Sequence, residues 1–219
     1  MPDKIIDKIE NLVFPGKLYC ICCGNYIDES RTYGICDHCM DHISWCNNPA
    51  ERRQGMTFVK CMDYGIYERS IIFSLKYNGN RYIAKMVGEI MADRLKSLDI
   101  SGDYIVPVPM YSGKEKQRGF NHAILMGKYL SKYTGIKMLP RCLIRNRETE
   151  AMRSLSPEER KQNIKGSIDF NPSYDKMLKN KKIVLIDDFY TTGSTALECR
   201  NVLLTQNPSE IIFLAFGAG

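Results

Sequence analysis

Two carboxylates follow a short apolar run, and a hydroxyl-rich turn comes directly after them: Ile183-Val-Leu-Ile-Asp187-Asp188-Phe-Tyr-Thr191-Thr192-Gly193-Ser194-Thr195. Ionised carboxylates only accept hydrogen bonds, so a pair of them suits a ligand rich in hydroxyl groups, such as a sugar. A turn of small hydroxyl residues and a Gly leaves backbone N–H groups free to point at an anion, the more so at a helix N-terminus. One loop therefore carries the chemistry of a phosphate held beside sugar hydroxyls. A second set, Cys20, Cys23, Cys36 and Cys39, forms two Cys-x₂-Cys pairs with twelve residues between them. That is the spacing of a closed tetrathiolate zinc site, which folds a small module and leaves no position for a catalytic water. A third set, Val108 and Pro109 followed by Lys114, Lys116, Arg118 and Gly119, places a rigid strand end before a basic loop. Guanidinium binds phosphate oxygens bidentately, which makes Arg118 the leading anion ligand there, with Gly119 allowing close backbone approach.

The elements that must position these residues alternate. Ile183 to Ile186 reads as a strand buried on both faces, with Asp187 and Asp188 at its carboxyl end and a helix from Ala196. Residues 58–64, 104–109 and 210–216 read as further strands; 67–77, 82–98 and 121–133 read as helices, the first ending at 78–80. Two prolines stop a central strand at 107–109. Strands alternating with helices imply a mostly parallel α/β sheet. Ahead of it, residues 5–14 have helical spacing, Gly24 suits a knuckle, and the polar stretch 47–55 reads as a linker. The division is 1–55 for an N-terminal helix and cysteine module, and 56–219 for the α/β domain. Cys22 reads as a bystander or an occasional substitute ligand, while Cys46, Cys61, Cys142 and Cys199 read as buried small hydrophobes. No repeat, Walker A or Rossmann glycine pattern is present, which argues against ATP, NAD and FAD.

The 219 residues, 44% of them hydrophobic, suffice for one ordinary core plus a small appendage. Nine Cys without a signal-peptide pattern imply a reducing compartment and a cytoplasmic protein without membrane insertion. The net charge of +6 is uneven: residues 111–166 hold thirteen Lys and Arg against five Glu. Such a segment can hold pyrophosphate or follow a nucleic-acid backbone. Tyr19, Tyr26, Tyr33 and Trp45, interleaved with Lys17, Arg31, Arg52 and Arg53, either pack the cysteine module or stack single-stranded nucleic acid.

The Asp187-to-Thr195 stretch resembles the phosphoribosyl-pyrophosphate (PRPP) motif of the type I phosphoribosyltransferases. By that resemblance Asp187 and Asp188 bind ribose hydroxyls, and Thr191, Thr192, Gly193, Ser194 and Thr195 hold the 5′-phosphate. Val108, Pro109, Arg118 and Gly119 belong to the pyrophosphate loop, and Mg²⁺ accompanies PRPP. In order along the chain, the twin Cys-x₂-Cys, Leu75-Lys76-Tyr77, Val106-Pro-Val-Pro109, Arg118-Gly-Phe-Asn121 and the late PRPP loop resemble the ComF family. Arg145, Arg147, Thr149, Leu155, Arg160, Asn163 and Gly166 extend the match. The resemblance implies a type I phosphoribosyltransferase-like domain with a small N-terminal zinc-finger module, and a role in competence: DNA uptake or processing during natural transformation. His122 and Met152 stand where it implies Gln. Two functions stay open. One is a PRPP-binding protein of DNA uptake, touching single-stranded DNA and the uptake machinery. The other is an active salvage enzyme moving phosphoribosyl to a nitrogen nucleophile.

Overall fold

The computed structural model describes residues 18–77, 82–149 and 156–219. The expected helix over 5–14, the stop at 78–80 and Met152 lie outside the described residues.

After a short helix α1 (Asp37–His42), the chain enters a sheet through a hairpin of β1 (Glu51–Arg53) and β2 (Met56–Asp63). Then come α2 (Ile66–Tyr77), α3 (Ile83–Ser97), β3 (Tyr104–Pro107), α4 (Ser112–Arg118), α5 (His122–Thr134) and β4 (Lys137–Met138). A two-stranded flap of β5 (Leu143–Arg145) and β6 (Ile168–Phe170) brackets α6 (Pro157–Ile164). The chain closes with β7 (Lys182–Tyr190), α7 (Ser194–Leu204) and β8 (Glu210–Ala218). The main sheet runs β1-β2-β8-β7-β3-β4, antiparallel only between β1 and β2.

The central strand explains the layering. Val184 and Ile186 of β7 pack with Ile212 and Leu214 under α2, α3 and α5, while Ile183 and Leu185 face Phe213, Cys199 and Leu203 on the other side. All four β7 residues are fully buried, and at about 1.5–3 kcal/mol each they give this strand reason to be central. α5 is started by Asn121, whose side chain accepts from the N–H groups of Ala123 (2.9 Å) and Ile124 (3.3 Å).

Two differences from the sequence reading matter. β7 does not stop at the aspartates but pairs on to Tyr190, because β8 stays apolar to Ala218 and continues to offer a partner. Residues 51–53, read as linker, form the edge strand, with Gln54 (φ 50°) and Gly55 (φ 75°) making its turn. The cysteine module is not set apart by its packing: Cys20, Ile21, Ile27, Ile35 and Ile43 lie in one buried cluster with Ile71, Met91 and Leu214.

Candidate anion-binding crevice and cysteine cluster

β3 leads through α5 outward to β4, whereas its neighbour β7 leads through α7 the other way to β8. Adjacent strands whose connections diverge open a crevice at their carboxyl ends, where ligands bind in open α/β sheets. Asp187, Asp188, Val108 and Pro109 all reach that end, and the turn 191–193 follows.

Consecutive strand residues face opposite sides of a sheet, and the two aspartates separate accordingly. Asp187 is half-buried and lines a recess with Thr191, Thr192, Gly193, Ser194, Thr195 and Arg160. Asp188 is 4% exposed, pairs with the Lys76 ammonium of α2, and has Nε2 of His122 at 3.6 Å. Burial would raise the Asp188 carboxyl, but Lys76 and His122 outweigh it and hold Asp188 well below the usual carboxylate range. Asp187 goes the other way: burial, then the charge of Asp188, pushes it well above that range. Burial works against the Lys76 ammonium, yet Asp188 more than compensates and raises it. Nδ1 of His122 lies 3.4 Å from Nη1 of Arg118, so one chain of contacts links Arg118, His122, Asp188 and Lys76. Ligand atoms of His122, Asp187 and Asp188 also come within 4.8 Å of one another, as a metal would need, but Lys76 already neutralises part of that set.

The hydroxyl-rich turn depends on its glycine. Gly193 sits at φ 72°, and a Cβ there would approach the Tyr190 hydroxyl to 2.4 Å. The Thr192 and Ser194 hydroxyls are 2.9 Å apart at the start of α7, and Gln54 of the β1–β2 turn donates to the Thr192 carbonyl (3.3 Å). Gly119 is likewise left-handed (φ 79°) and ends α4 after Arg118. The Val108 N–H is engaged by the Ile186 carbonyl at 2.9 Å, and Pro107 and Pro109 carry no N–H. The basic segment is also less available than its charge implies. Arg141 pairs with Glu115 (3.1 Å), Lys114 donates to the Thr149 carbonyl (3.2 Å), and Arg147 holds the carbonyls of Asn163 and Lys165.

Cys20, Cys23, Cys36 and Cys39 bring their sulfurs within 4.8 Å of one another. Cys23 and Cys36 are 3.7 Å apart, close to the roughly 3.8 Å edge of a tetrahedron with Zn–S legs of about 2.3 Å. Gly24 (φ 74°) closes the first knuckle, its N–H reaching the Cys20 carbonyl at 2.9 Å. The Cys36 N–H donates to the Cys20 sulfur and the Cys39 N–H to the Cys36 sulfur, each at 3.4 Å. Burial alone would raise the Cys20 thiol, but N–H groups of Cys36, Cys23 and Cys22 bring it down to about 7. Burial and the neighbouring sulfurs push the Cys39 thiol up, so holding all four as thiolates this close needs a cation between them, and the donor set fits zinc. Cys22 stays outside the cluster, its carbonyl taken by Ser70. His38 and His42 are outside as well, their rings tilted against each other at 4.2 Å and packed against Tyr67 of α2.

The aromatic residues of the module divide. The Tyr33 hydroxyl binds Asp93 (2.7 Å) and Trp45 donates to the Met40 carbonyl (3.1 Å), so both serve packing. Tyr19 and Tyr26 are exposed and meet edge-on at 6.0 Å. Arg31 is paired with Asp28 and Asp37, and Arg53 with Glu51, so these cations are already partnered.

Lys76 was not singled out by the sequence as a site residue, although a lone Lys beside the apolar stripe Ile71, Ile72, Leu75 is a usable signal. His122 was marked only as a departure, and its pairing with Asp188 needs the fold.

The molecule is thus an α/β protein with a mostly parallel sheet flanked by helices, an anion-suited crevice at a switch point and an N-terminal four-cysteine cluster. It is similar to Competence protein F of Haemophilus influenzae, with 25% identity over 200 residues and 86% of each chain covered. The same holds for the DNA utilization protein YhgH of Escherichia coli, 27% identical over 159 residues, covering 70% of this chain and 68% of that one. The ComF resemblance drawn from the motifs is met by these relatives. No family model matches. Among solved structures, the chain is similar to the glutamine PRPP amidotransferase of B. subtilis (17% identity, TM-score 0.43), covering 65% of this chain and 30% of that one. It is also similar to adenine phosphoribosyltransferase of Leishmania tarentolae (15% identity, TM-score 0.39), covering 62% of this chain and 70% of that one. Among the described residues, no helix is long and apolar enough to cross a membrane.

Proposed function

We propose that this chain is a cytoplasmic PRPP-binding protein acting in DNA uptake or processing, with zinc in the cysteine cluster and Mg²⁺ arriving with PRPP. One observation carries the reading: β7 delivers Asp187 to the mouth of the recess formed by Thr191, Thr192, Gly193, Ser194 and Thr195. The turn's N–H and hydroxyl groups would take the 5′-phosphate, and Asp187 the adjacent ribose hydroxyls. Asp188, engaged by Lys76 and His122, would act on the ribose side by holding that wall in place. Bound Mg²⁺ would neutralise pyrophosphate charge; oxygen donors suit it, and Asp187 is the carboxylate with exposure left to reach it or its waters. Relatives named for competence and DNA utilization support the biological setting. The exposed Tyr19–Tyr26 pair is the part of the cysteine module suited to stacking single-stranded DNA.

A second reading, transfer of the phosphoribosyl group to a nitrogen nucleophile, is favoured by Lys76 and Arg118 converging on the crevice. In that reaction the ribose C1–O bond to pyrophosphate breaks, a C1–N bond forms, and the nucleophile loses its proton. Two cations near the departing group would stabilise its developing charge. Calorimetric titration of the zinc-loaded protein with PRPP and Mg²⁺, repeated with single-stranded DNA, separates the readings. Coupling between the ligands supports the first, and PRPP binding indifferent to DNA moves the search to nucleobases and released pyrophosphate. No heat with PRPP removes both.

A further inference from the structure

We propose that Arg160 of α6 (Pro157–Ile164) is a 5′-phosphate ligand, closing from above a recess that the hydroxyl-rich turn forms from below. The assignment deepens the PRPP reading and rests on it. Among the described residues lining that recess, Arg160 is the one cation, facing Thr191, Thr192, Gly193 and Ser194 with Asp187 alongside. The turn itself supplies neutral donors only. A phosphate monoester carries about −1.5 to −2 charges near pH 7, and a recess that also contains Asp187 needs a compensating positive charge. Guanidinium is suited to this because two of its N–H groups can meet two phosphate oxygens at once.

The position of Arg160 is built rather than incidental. α6 starts at a capping box: Ser156 accepts from the Glu159 N–H, and the Glu159 carboxylate accepts from the Ser156 N–H at 2.7 Å. Its far end is held by Arg147 on the carbonyls of Asn163 (3.0 Å) and Lys165 (2.9 Å). Glu198 of α7 then accepts from the Gly166 N–H at 2.6 Å, and Ile164 is buried in the same cluster as Cys199 and Leu203. α7 begins in the phosphate turn, so these contacts tie the flap helix to the turn as one unit. Arg160 lies about one helical turn after Ser156 and lines the recess with that turn.

The test uses three ligands that separate the two ends of PRPP: PRPP with Mg²⁺, ribose 5-phosphate, and inorganic pyrophosphate with Mg²⁺. Each is titrated calorimetrically into wild type, Arg160→Ala, Arg160→Lys and the neighbouring control Lys161→Ala. Arg160→Ala is expected to weaken PRPP and ribose 5-phosphate about 10- to 100-fold and to leave pyrophosphate unchanged. Arg160→Lys should recover part of the loss, and Lys161→Ala should match wild type. Unchanged ribose 5-phosphate binding in Arg160→Ala overturns the assignment. So does an equal loss for pyrophosphate, which would signal a disturbed flap. A wild-type protein that binds none of the three removes the PRPP reading, and Arg160 with it.

Discussion

Two neighbouring aspartates of one strand should respond to the same substitution with opposite changes in stability. In Asp188→Asn the Lys76 ammonium loses its partner while its side chain is only 22% exposed, against 5% for Asp188. Removing one member of a buried pair costs about 3–5 kcal/mol, and the residual exposure of Lys76 puts this case near the lower end. At about 2–4 °C per kcal/mol for a chain of this size, Tm should fall by roughly 6–12 °C. Asp187→Asn removes a half-buried charge close to that of Asp188, and an amide oxygen can still accept the Asp188 N–H at 2.9 Å. Relief of strain at a functional residue is typically worth about 0.5–2 kcal/mol, so Tm should rise by a few degrees while PRPP binding is lost. The pH dependence carries the same signs. Asp187 has a raised folded pKa, so its contribution is fully present below about pH 3.9 and is lost as pH rises through the folded value. Asp188 has a depressed folded pKa, so its contribution is present above about pH 3.9 and disappears only as pH falls through a still lower value. Wild type should therefore gain stability as pH falls through the raised Asp187 pKa, and Asp187→Asn should lack that gain. Urea melts of both variants at two pH values measure this. A destabilised Asp187→Asn, or an Asp188→Asn within about 0.5 kcal/mol of wild type, would refute the assignment of charge. A double-mutant cycle with Lys76→Met should recover much of the Asp188→Asn loss.

Gly193→Ala should cost about 1–3 kcal/mol through its left-handed backbone and abolish PRPP binding, because the new Cβ meets the Tyr190 hydroxyl; a melt and a titration check both. Chelating zinc, or Cys39→Ser, should lower the melting temperature of the whole chain rather than of an isolated module, since Cys20, Cys39 and Ile35 share a buried cluster with α2 and α3. Two separate calorimetric transitions in the intact protein would contradict that. Tyr19→Ala with Tyr26→Ala should weaken single-stranded DNA by about 1–3 kcal/mol per lost stack with little change in salt slope, measured by fluorescence anisotropy across a salt series. His122→Ala should loosen Arg118 and weaken pyrophosphate, whereas His122→Gln, whose amide can both donate to Asp188 and accept from Arg118, should bind nearly as wild type.

What could be read before the fold was known is what depends on near neighbours. The apolar run 183–186, the helix beginning near 121 and the two Cys-x₂-Cys knuckles are set by spacings of two to four residues, and all reappear. Strand endings were harder, because the extension of β7 through Asp187 and Asp188 to Tyr190 depends on how far β8 stays apolar, a property of another segment. Side-chain partners were hardest. Nothing near Asp188 announces Lys76, yet the sheet order carries α2 across to the face beneath which Asp188 points, and the pairing is what divides the two aspartates into different jobs. The Val108 N–H follows the same logic: its partner, the Ile186 carbonyl, is supplied only once β3 lies beside β7. The motif therefore identifies a ligand class through residues that could each touch it. Deciding which of them are free to do so is a question of charge balance across the sheet, and there Lys76 and His122 claim Asp188 while Asp187 is left facing the recess.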